Sequence, residues 1–432
     1  MEPVLIAGWL ALAPTDTAFS RITLDFDLRG ANLHFSELVV PGIGGVSCVR
    51  QLTWAVAGIR LRNELMAMAR PPRATQLSNA IEALGCKAEY LHNLREDDDI
   101  SPRVLGRRAF ARDGELVCSF QDLSAREHYV QNTYRATATR ALRADVGLDL
   151  ARGSRFDTLV LEPVGEAAAQ ALLEQGGIGR GSVTLKSWLQ AWVAGEKAPA
   201  TPNSSSWTSL RPALSPETPS REERRLIRAR LLDVDGPAAD KRRTLAPLLE
   251  GDAVLDDVEV VIEGVERTGK LAFARQIALA RAFGSLLDSC IHAVEVLSGA
   301  IERAGRLSVN AAAREVKGEL SALRESARLY LAGEETSPQS GHREAHALAR
   351  MAAAGRSVSA DDEALVRELI RREGRVIALI DGFVHKGPLF RNLTARSDDD
   401  EAVDVDDRLS MHGRTFRLAN FHELLRDTLG RR

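Results

Sequence analysis

The sequence predicts a mixed α/β, mainly α protein in three parts. These are an N-terminal α+β domain over residues 1–193, a flexible linker over 194–222, and an all-α helical domain over 223–432. Three observations predict it. Strand-like and helix-like runs alternate before residue 194. Between Ala194 and Glu222 the stretch "APATPNSSSWTSLRPALSPETPS" holds five prolines and a Ser/Thr excess, too little apolar surface to offset its ordering entropy. Beyond it, apolar residues recur at i, i+3 and i+4 almost to the end.

Composition sets the frame. The chain has 432 residues, 44% hydrophobic and 27% charged, which fits globular domains with a sizeable core. Its formal net charge of −3 means that any affinity for nucleic acid has to come from a local patch. Arginine outnumbers lysine 50 to 7, so an arginine alone is a weak sign of a phosphate site. Cys48, Cys86, Cys118 and Cys290 lie far apart with no CxxC pair. That spacing fits reduced thiols in a cytosolic protein, not a disulfide framework or a zinc site. The opening "MEPVLIAGWLALAPTD" has Glu2 where a secretory signal carries positive charge, and its apolar run is too short for a bilayer. The expectation is a cytoplasmic chain with no membrane contact.

In the N-terminal part, "SRITLDFDLRG" and "ANLHFSELVV" alternate like two strands joined by a glycine turn. A helix is expected over "VSCVRQLTWAVAGIRLRNELMAMA". A second follows, with Leu77, Ile81, Leu84, Ala88 and Leu91 on one stripe. Arg103 to Gln121 reads as loop with some strand. A helix is expected over Thr133–Ala144, capped by Asn132 or Thr133, with Tyr134, Ala138, Ala141 and Leu142 inward. Thr139, Arg140 and Arg143 then face outward, with Arg135 at the margin. Gly147 is placed to end that helix in the left-handed conformation. "LDLA" and "RFDTLVL" read as strands around an "RGS" turn in which Gly153 takes a positive φ. Pro163 suits the first turn of the next helix, "VGEAAAQALL". Leu185, Trp188, Leu189 and Trp192 mark one more amphipathic helix.

This order of helix, strand, basic turn, strand and helix over residues 130–173 resembles the winged-helix superfamily. The likeness is one of element types, not of a family motif. It implies that Arg140 and Arg143, with Arg135 and Thr139 beside them, face a DNA groove, and that Arg152 and Arg155 meet phosphates at the wing. Residues 103–155 carry ten Arg against six Asp or Glu, opposite in sign to the whole chain. The plainer reading is a solvated Arg-rich face or a protein-docking wing.

Beyond the linker, helices are expected over Glu222–Leu232, Val254–Leu297, Ala311–Leu331 and Asp361–Ile380. A last short amphipathic helix lies in "RTFRLANFHELLRDTLGRR".

Four other motifs invite chemistry. "GVERTGK" (264–270) has phosphate-loop spacing, but Leu271 stands where the Ser/Thr belongs and the surroundings read as helix. "PGIGGVS" (41–47) lies between a strand and a helix, and reads best as a glycine turn with Ser47 as helix cap. "HREAH" (342–346) puts two imidazoles one helical turn apart without the glutamate of a zincin. The acidic run "DDDEAVDVDD" (398–407) lacks the glycine and terminal glutamate of a calcium loop and reads as a solvated connector.

The functional expectation is a non-catalytic, DNA-associated winged-helix protein. It would bind double-stranded DNA, and other proteins through the C-terminal helices, as a subunit of a multi-protein bacterial system of the kind seen in antiviral (anti-phage) defence. No cofactor, metal or catalytic residue is expected. The alternative is a purely protein-binding scaffold subunit; a metal-dependent nuclease or other enzyme ranks third.

Overall fold

The computed structural model describes residues 24, 26–113, 117–130, 132–178, 183–196, 205–250, 258–355, 359–388, 390 and 417–431. It is mainly helical with small sheets. In chain order the first elements are α1 (Arg29–Val39), α2 (Val49–Glu64), α3 (Ala74–Glu96), α4 (Arg107–Asp113), α5 (Phe120–Ser124), α6 (Tyr134–Leu142), β1 (Ala151–Arg152), β2 (Val160–Leu161), α7 (Pro163–Leu173) and α8 (Leu185–Val193). Next come α9 (Ser205–Leu214), α10 (Arg221–Leu232), α11 (Pro237–Leu249), α12 (Val258–Arg267), α13 (Leu271–Ala304), β3 (Arg306–Ser308), α14 (Val309–Glu315) and α15 (Lys317–Thr336). The last are α16 (Arg343–Ala354), α17 (Ser359–Glu373), β4 (Ile377–Ile380), β5 (Phe383–Lys386) and α18 (Leu418–Leu429).

The chain forms two compact units, each discontinuous in sequence. One comprises Met1–Asp27, Ser289–Ala322 and Gly355–Ala395; the other comprises Leu28–Asp288, Leu323–Ala354 and Arg396–Arg432. They are called the small and the large unit below.

In the large unit α2 is central. From Val49 to Ile59 every side chain is buried, polar ones included, as expected of a helix covered on all sides. It crosses α3 closely, because Gly58 has no Cβ to overlap Ser78. α3, α6 and α7 pack on it. The C-terminal α18 also docks there: Asp427 accepts from the Val49 N–H at 2.8 Å, at the positive end of α2, and from Arg103 Nη1 at 2.9 Å.

Several expectations change. "ANLHFSELVV" is not a strand. It lies in α1, where Ala31, Phe35 and Val39 bury one face at four-residue spacing. Of the preceding "SRITLDFDLRG", residues 20–23 and 25 lie outside the described residues. Phe26 and Asp27 take left-handed φ of +49° and +60°, and Arg29 and Gly30 already begin α1, so no strand is found among its described residues. The stretch 103–121 contains α4 and the start of α5. Within the expected linker, residues 205–214 form α9. There Trp207, Leu210 and Leu214 are buried in the main hydrophobic cluster with α3 and α8. Gly85 lets the Leu214 carbonyl lie against α3. This part of the proline-rich stretch is therefore core, while residues 197–204 lie outside the described set. The single helix expected over 254–297 is two, α12 and α13, broken at Gly269 with φ +79°. α13 is long and apolar enough to cross a membrane by length and composition, but more than half of its most apolar window is buried in the protein.

The C-terminal part is not all helix. The small unit contains an antiparallel sheet of order β3-β5-β4. The helix expected over Asp361–Ile380 stops at Glu373. Gly374 then turns left-handed, with φ +58°. The buried Glu373 carboxylate accepts from the N–H groups of Val376 (2.9 Å) and Ile377 (3.1 Å), which turns the chain into β4. Asp381 and Gly382, at φ +48° and +78°, join β4 to β5 by the two-residue turn whose twist suits a hairpin.

Candidate docking surfaces

The first candidate surface is α6 with the β1–β2 hairpin. Thr133 caps α6 through its hydroxyl, which accepts from the Ala136 N–H at 3.3 Å. Glu82 of α3 adds a second cap from a distant part of the chain. Its carboxylate accepts from the N–H groups of Tyr134 (2.7 Å) and Arg135 (2.9 Å) and from the Tyr129 hydroxyl (2.9 Å). Burial pushes the Glu82 carboxyl up to about 7, against the pull of these donors.

This shift has a consequence for stability. The folded protein holds the Glu82 proton more tightly than the unfolded chain, so the contribution is full below the unfolded value of 4.5. It is lost as pH rises toward about 7. Glu82→Gln is expected to flatten the stability profile across that window, by up to about 3 kcal/mol at its upper end. Chemical denaturation of both proteins at several pH values checks it; parallel profiles would contradict it.

After α6 the chain reverses sharply. Leu148 N–H donates to the Ala141 carbonyl at 2.7 Å and Leu150 N–H to the Leu142 carbonyl at 2.9 Å. Gly147 is needed for closeness, since a Cβ there would overlap Ala141 O. The left-handed residue is Asp149, with φ +55°, and not Gly147. Gly153 does take the expected positive φ, +132°, and Pro163 does open α7. The two strands are only two residues each, and a tight helical turn over Phe156–Thr158 replaces most of the expected returning strand.

The side chains divide as expected, but the outward face is small. Tyr134, Ala138, Ala141 and Leu142 are buried. Arg135 and Thr139 are half-buried: Arg135 Nε donates to Asn79 Oδ1 at 2.8 Å with its guanidinium over Phe156, and the Thr139 hydroxyl donates to the Arg135 carbonyl. The turn at Gly44 lies against the Thr137 carbonyl and the Arg140 Cβ. On the helix itself only Ala136 and Arg140 are exposed.

The arginines are mostly engaged. Arg140 Nε lies 3.0 Å from Glu37 Oε1. Arg143 pairs with Asp145 through two bonds, at 3.0 and 2.5 Å. Arg152 pairs with Glu162. Arg155 is exposed and has no ion-pair partner among the described residues. Such surface pairs are individually weak, worth ~0.2–1 kcal/mol. Together, though, they place a carboxylate beside Arg140, Arg143 and Arg152, three of the arginines expected to face DNA.

The second candidate surface is in the small unit. α17 packs on α14 and β4. Its exposed residues Ala360, Ala364, Arg367 and Arg371 recur at helical spacing and form one stripe. Arg371 pairs with Glu368 at 2.7 Å. The hairpin presents Leu379 (37% exposed), Ile380 (52%) and Phe383 (37%) to solvent. Ile380 and Phe383 are direct cross-strand partners beside the turn. The Arg306 guanidinium lies 4.9 Å from the Phe383 ring centroid. Sequence periodicity missed this surface, although the "DG" between "IALI" and "FVHK" is a hairpin signal.

The remaining motifs do not assemble chemistry. In "GVERTGK" the first glycine, Gly264, lies inside α12, and Lys270 Nζ is bound to Asp240 Oδ2 (2.6 Å) and Thr244 Oγ1 (2.7 Å). In "PGIGGVS" the helix cap is Cys48, not Ser47. In "HREAH", His346 bonds Glu334 while the His342 ring meets that of His34, so the two imidazoles serve different contacts. Among the described residues no group of His, Cys, Asp and Glu is arranged to hold a metal ion. Burial pushes the thiols of Cys48 and Cys290 up to about 12, which keeps them protonated. The acidic run 398–407 lies outside the described residues.

No protein-family model matches the chain, no curated protein matches its sequence, and no solved structure matches its fold. The functional reading therefore rests on geometry alone.

Proposed function

We propose that this chain is a non-catalytic docking subunit that binds a protein partner through the β4–β5 hairpin of the small unit. The observation that carries this is the pair Ile380 and Phe383, exposed side by side on one face of the hairpin beside its turn, with Leu379 exposed on the other face. Exposed apolar groups set together on a rigid turn are the usual mark of a protein contact. Charge supports the same partner. Leaving out the buried Asp362 and Glu373, α17 carries Arg367, Arg371 and Arg372 against Asp361, Glu363 and Glu368, a balance with no net positive charge to draw a polyphosphate.

The element order expected at 130–173 also recurs here. A helix, a strand, a tight turn and a returning strand follow one another as α17, β4, Asp381–Gly382 and β5, and β3 completes the sheet. The second reading is DNA binding by this same module. The stripe of Ala360, Ala364, Arg367 and Arg371 favours it, since small residues allow close approach and the two arginines can meet phosphates.

Two double variants separate the readings. With a photo-crosslinker at Lys386, exposed on β5, in the native host, Ile380→Asp/Phe383→Asp is expected to abolish a discrete protein adduct while helicity is unchanged. Arg367→Glu/Arg371→Glu is expected to leave it. An adduct that survives the first and is lost with the second would overturn the proposal.

A further inference from the structure

Lys241 sits in the large unit on α11, at the edge of a cavity of about 480 Å³. Its Nζ donates to the Leu38 carbonyl and to Gln276 Oε1, each at 2.7 Å, and lies 4.9 Å from the Phe273 ring centroid. Both acceptors are neutral. Among the described residues no carboxylate pairs with it. The nearest in sequence, Asp240, is taken by Lys270 at 2.6 Å and by Arg243 at 3.9 Å. Pro237, Leu271, Ala272 and Phe273 line the same cavity with apolar surface; it is open to solvent and is also bordered by Asp240 and Lys270.

A half-buried lysine without a counter-ion is unusual, because the ammonium loses water and gains no opposite charge. A neutral amine suits the place better. It has two N–H groups, the number that Leu38 and Gln276 accept, and its lone pair is then left for an electrophile. Burial holds the Lys241 ammonium down to about 8, so a useful fraction is free base near neutral pH. Lys186, Lys270 and Lys386 instead pair with Glu64, Asp240 and Glu302.

We propose that Lys241 is a nucleophilic amine that captures a small aldehyde or ketone entering this cavity. The amine nitrogen adds to the carbonyl carbon to give a carbinolamine. The C–O bond then breaks, and the oxygen leaves as water with both amine protons. The product is a neutral imine on Lys241, and no oxidant or reductant is consumed. Desolvation of a lysine in an apolar pocket is a known way to make it react so.

The full-length protein, treated with propanal and then borohydride, reports the imine as a stable propyl-lysine that peptide mass mapping locates. With only seven lysines in the chain, each site is resolved. Near neutral pH, Lys241 is expected to be labelled at least about tenfold faster than Lys186 and Lys386, with a rate that levels off above about pH 8. Lys241→Arg should remove that label and spare the others. In urea the preference should vanish, since it belongs to the folded pocket. Labelling of Lys241 no faster than the surface lysines, a rate that keeps climbing to about pH 10 as for a solvated lysine, or a preference that survives unfolding would overturn the proposal.

Discussion

Trp207→Ala is expected to cost about 3–5 kcal/mol, enough to unfold a marginally stable protein. Trp207 is 1% exposed although it lies in a proline- and serine-rich stretch. It belongs to one cluster with Trp54, Leu84, Leu189 and Trp192. Removing the indole leaves a cavity that α3 cannot fill, because the contact is already as close as Gly85 permits. Arg211 of the same helix holds Glu89 of α3 at 2.9 Å, which fixes the register. Thermal unfolding of the variant measures the loss. A change below about 1 kcal/mol, the range of surface substitutions, would mean that α9 is dispensable and the stretch is a linker after all.

Glu223→Ala is expected to be at least as damaging. Arg50 Nη1 and Glu223 Oε1 are 3.0 Å apart, and both side chains are fully buried. Glu223 Oε2 also accepts from the Ser220 N–H (2.8 Å), closing the cap of α10, and from Gln175 Nε2 (3.0 Å). Alanine leaves Arg50 as a buried cation with only the Thr218 carbonyl, 2.7 Å away, still accepting from it. Stranding one partner of a buried pair costs about 3–5 kcal/mol, and the lost cap adds about 1 kcal/mol. Replacing both partners, Arg50→Met with Glu223→Met, should recover a large part, because the stranded charge is gone. Denaturant midpoints of the wild type and the two variants check this ordering. A double variant as unstable as Glu223→Ala would show that the loss comes from packing and the cap instead of charge.

What the sequence made legible was local. The hydroxyl cap at Thr133, the positive φ of Gly153, the proline start at Pro163 and the Leu185–Trp192 stripe each depend on a few neighbouring residues, and each is found. What it hid was set by distant partners or by conflicting local signals. In α1 a short apolar run fits both periods, and packing of Phe35 on Phe283, 4.6 Å between centroids, decides for helix. In α9 the composition argued for a linker, while a single tryptophan with a cavity to fill decided otherwise. At the β4–β5 hairpin, Leu369, Ile370, Val376, Ile377 and Ile380 continue a helical spacing that masked the turn signal of Asp381–Gly382.

The candidate site shows the same division. The inward and outward faces of α6 follow from its period, so Arg140 was rightly placed outside. Its partner Glu37 lies on α1, a hundred residues upstream in the chain, and no spacing rule announces it. Glu82, which caps α6 from α3, was equally invisible. The cation–π contact of Arg306 with Phe383 joins residues that lie far apart in sequence and meet only through the β3–β5 pairing.

The most direct test of the account is binding of the purified protein to random duplex DNA between about 50 and 200 mM salt. With Arg140, Arg143 and Arg152 beside carboxylates and α17 without net positive charge at its surface, the prediction is weak binding with a shallow salt dependence, equivalent to about one or two phosphates. It should also be unchanged by Arg140→Glu/Arg143→Glu. Tight binding whose logarithm falls with log salt at a slope of about 5 or more, and which that double variant abolishes, would contradict the protein-docking account and restore α6 and its hairpin as a nucleic-acid reader.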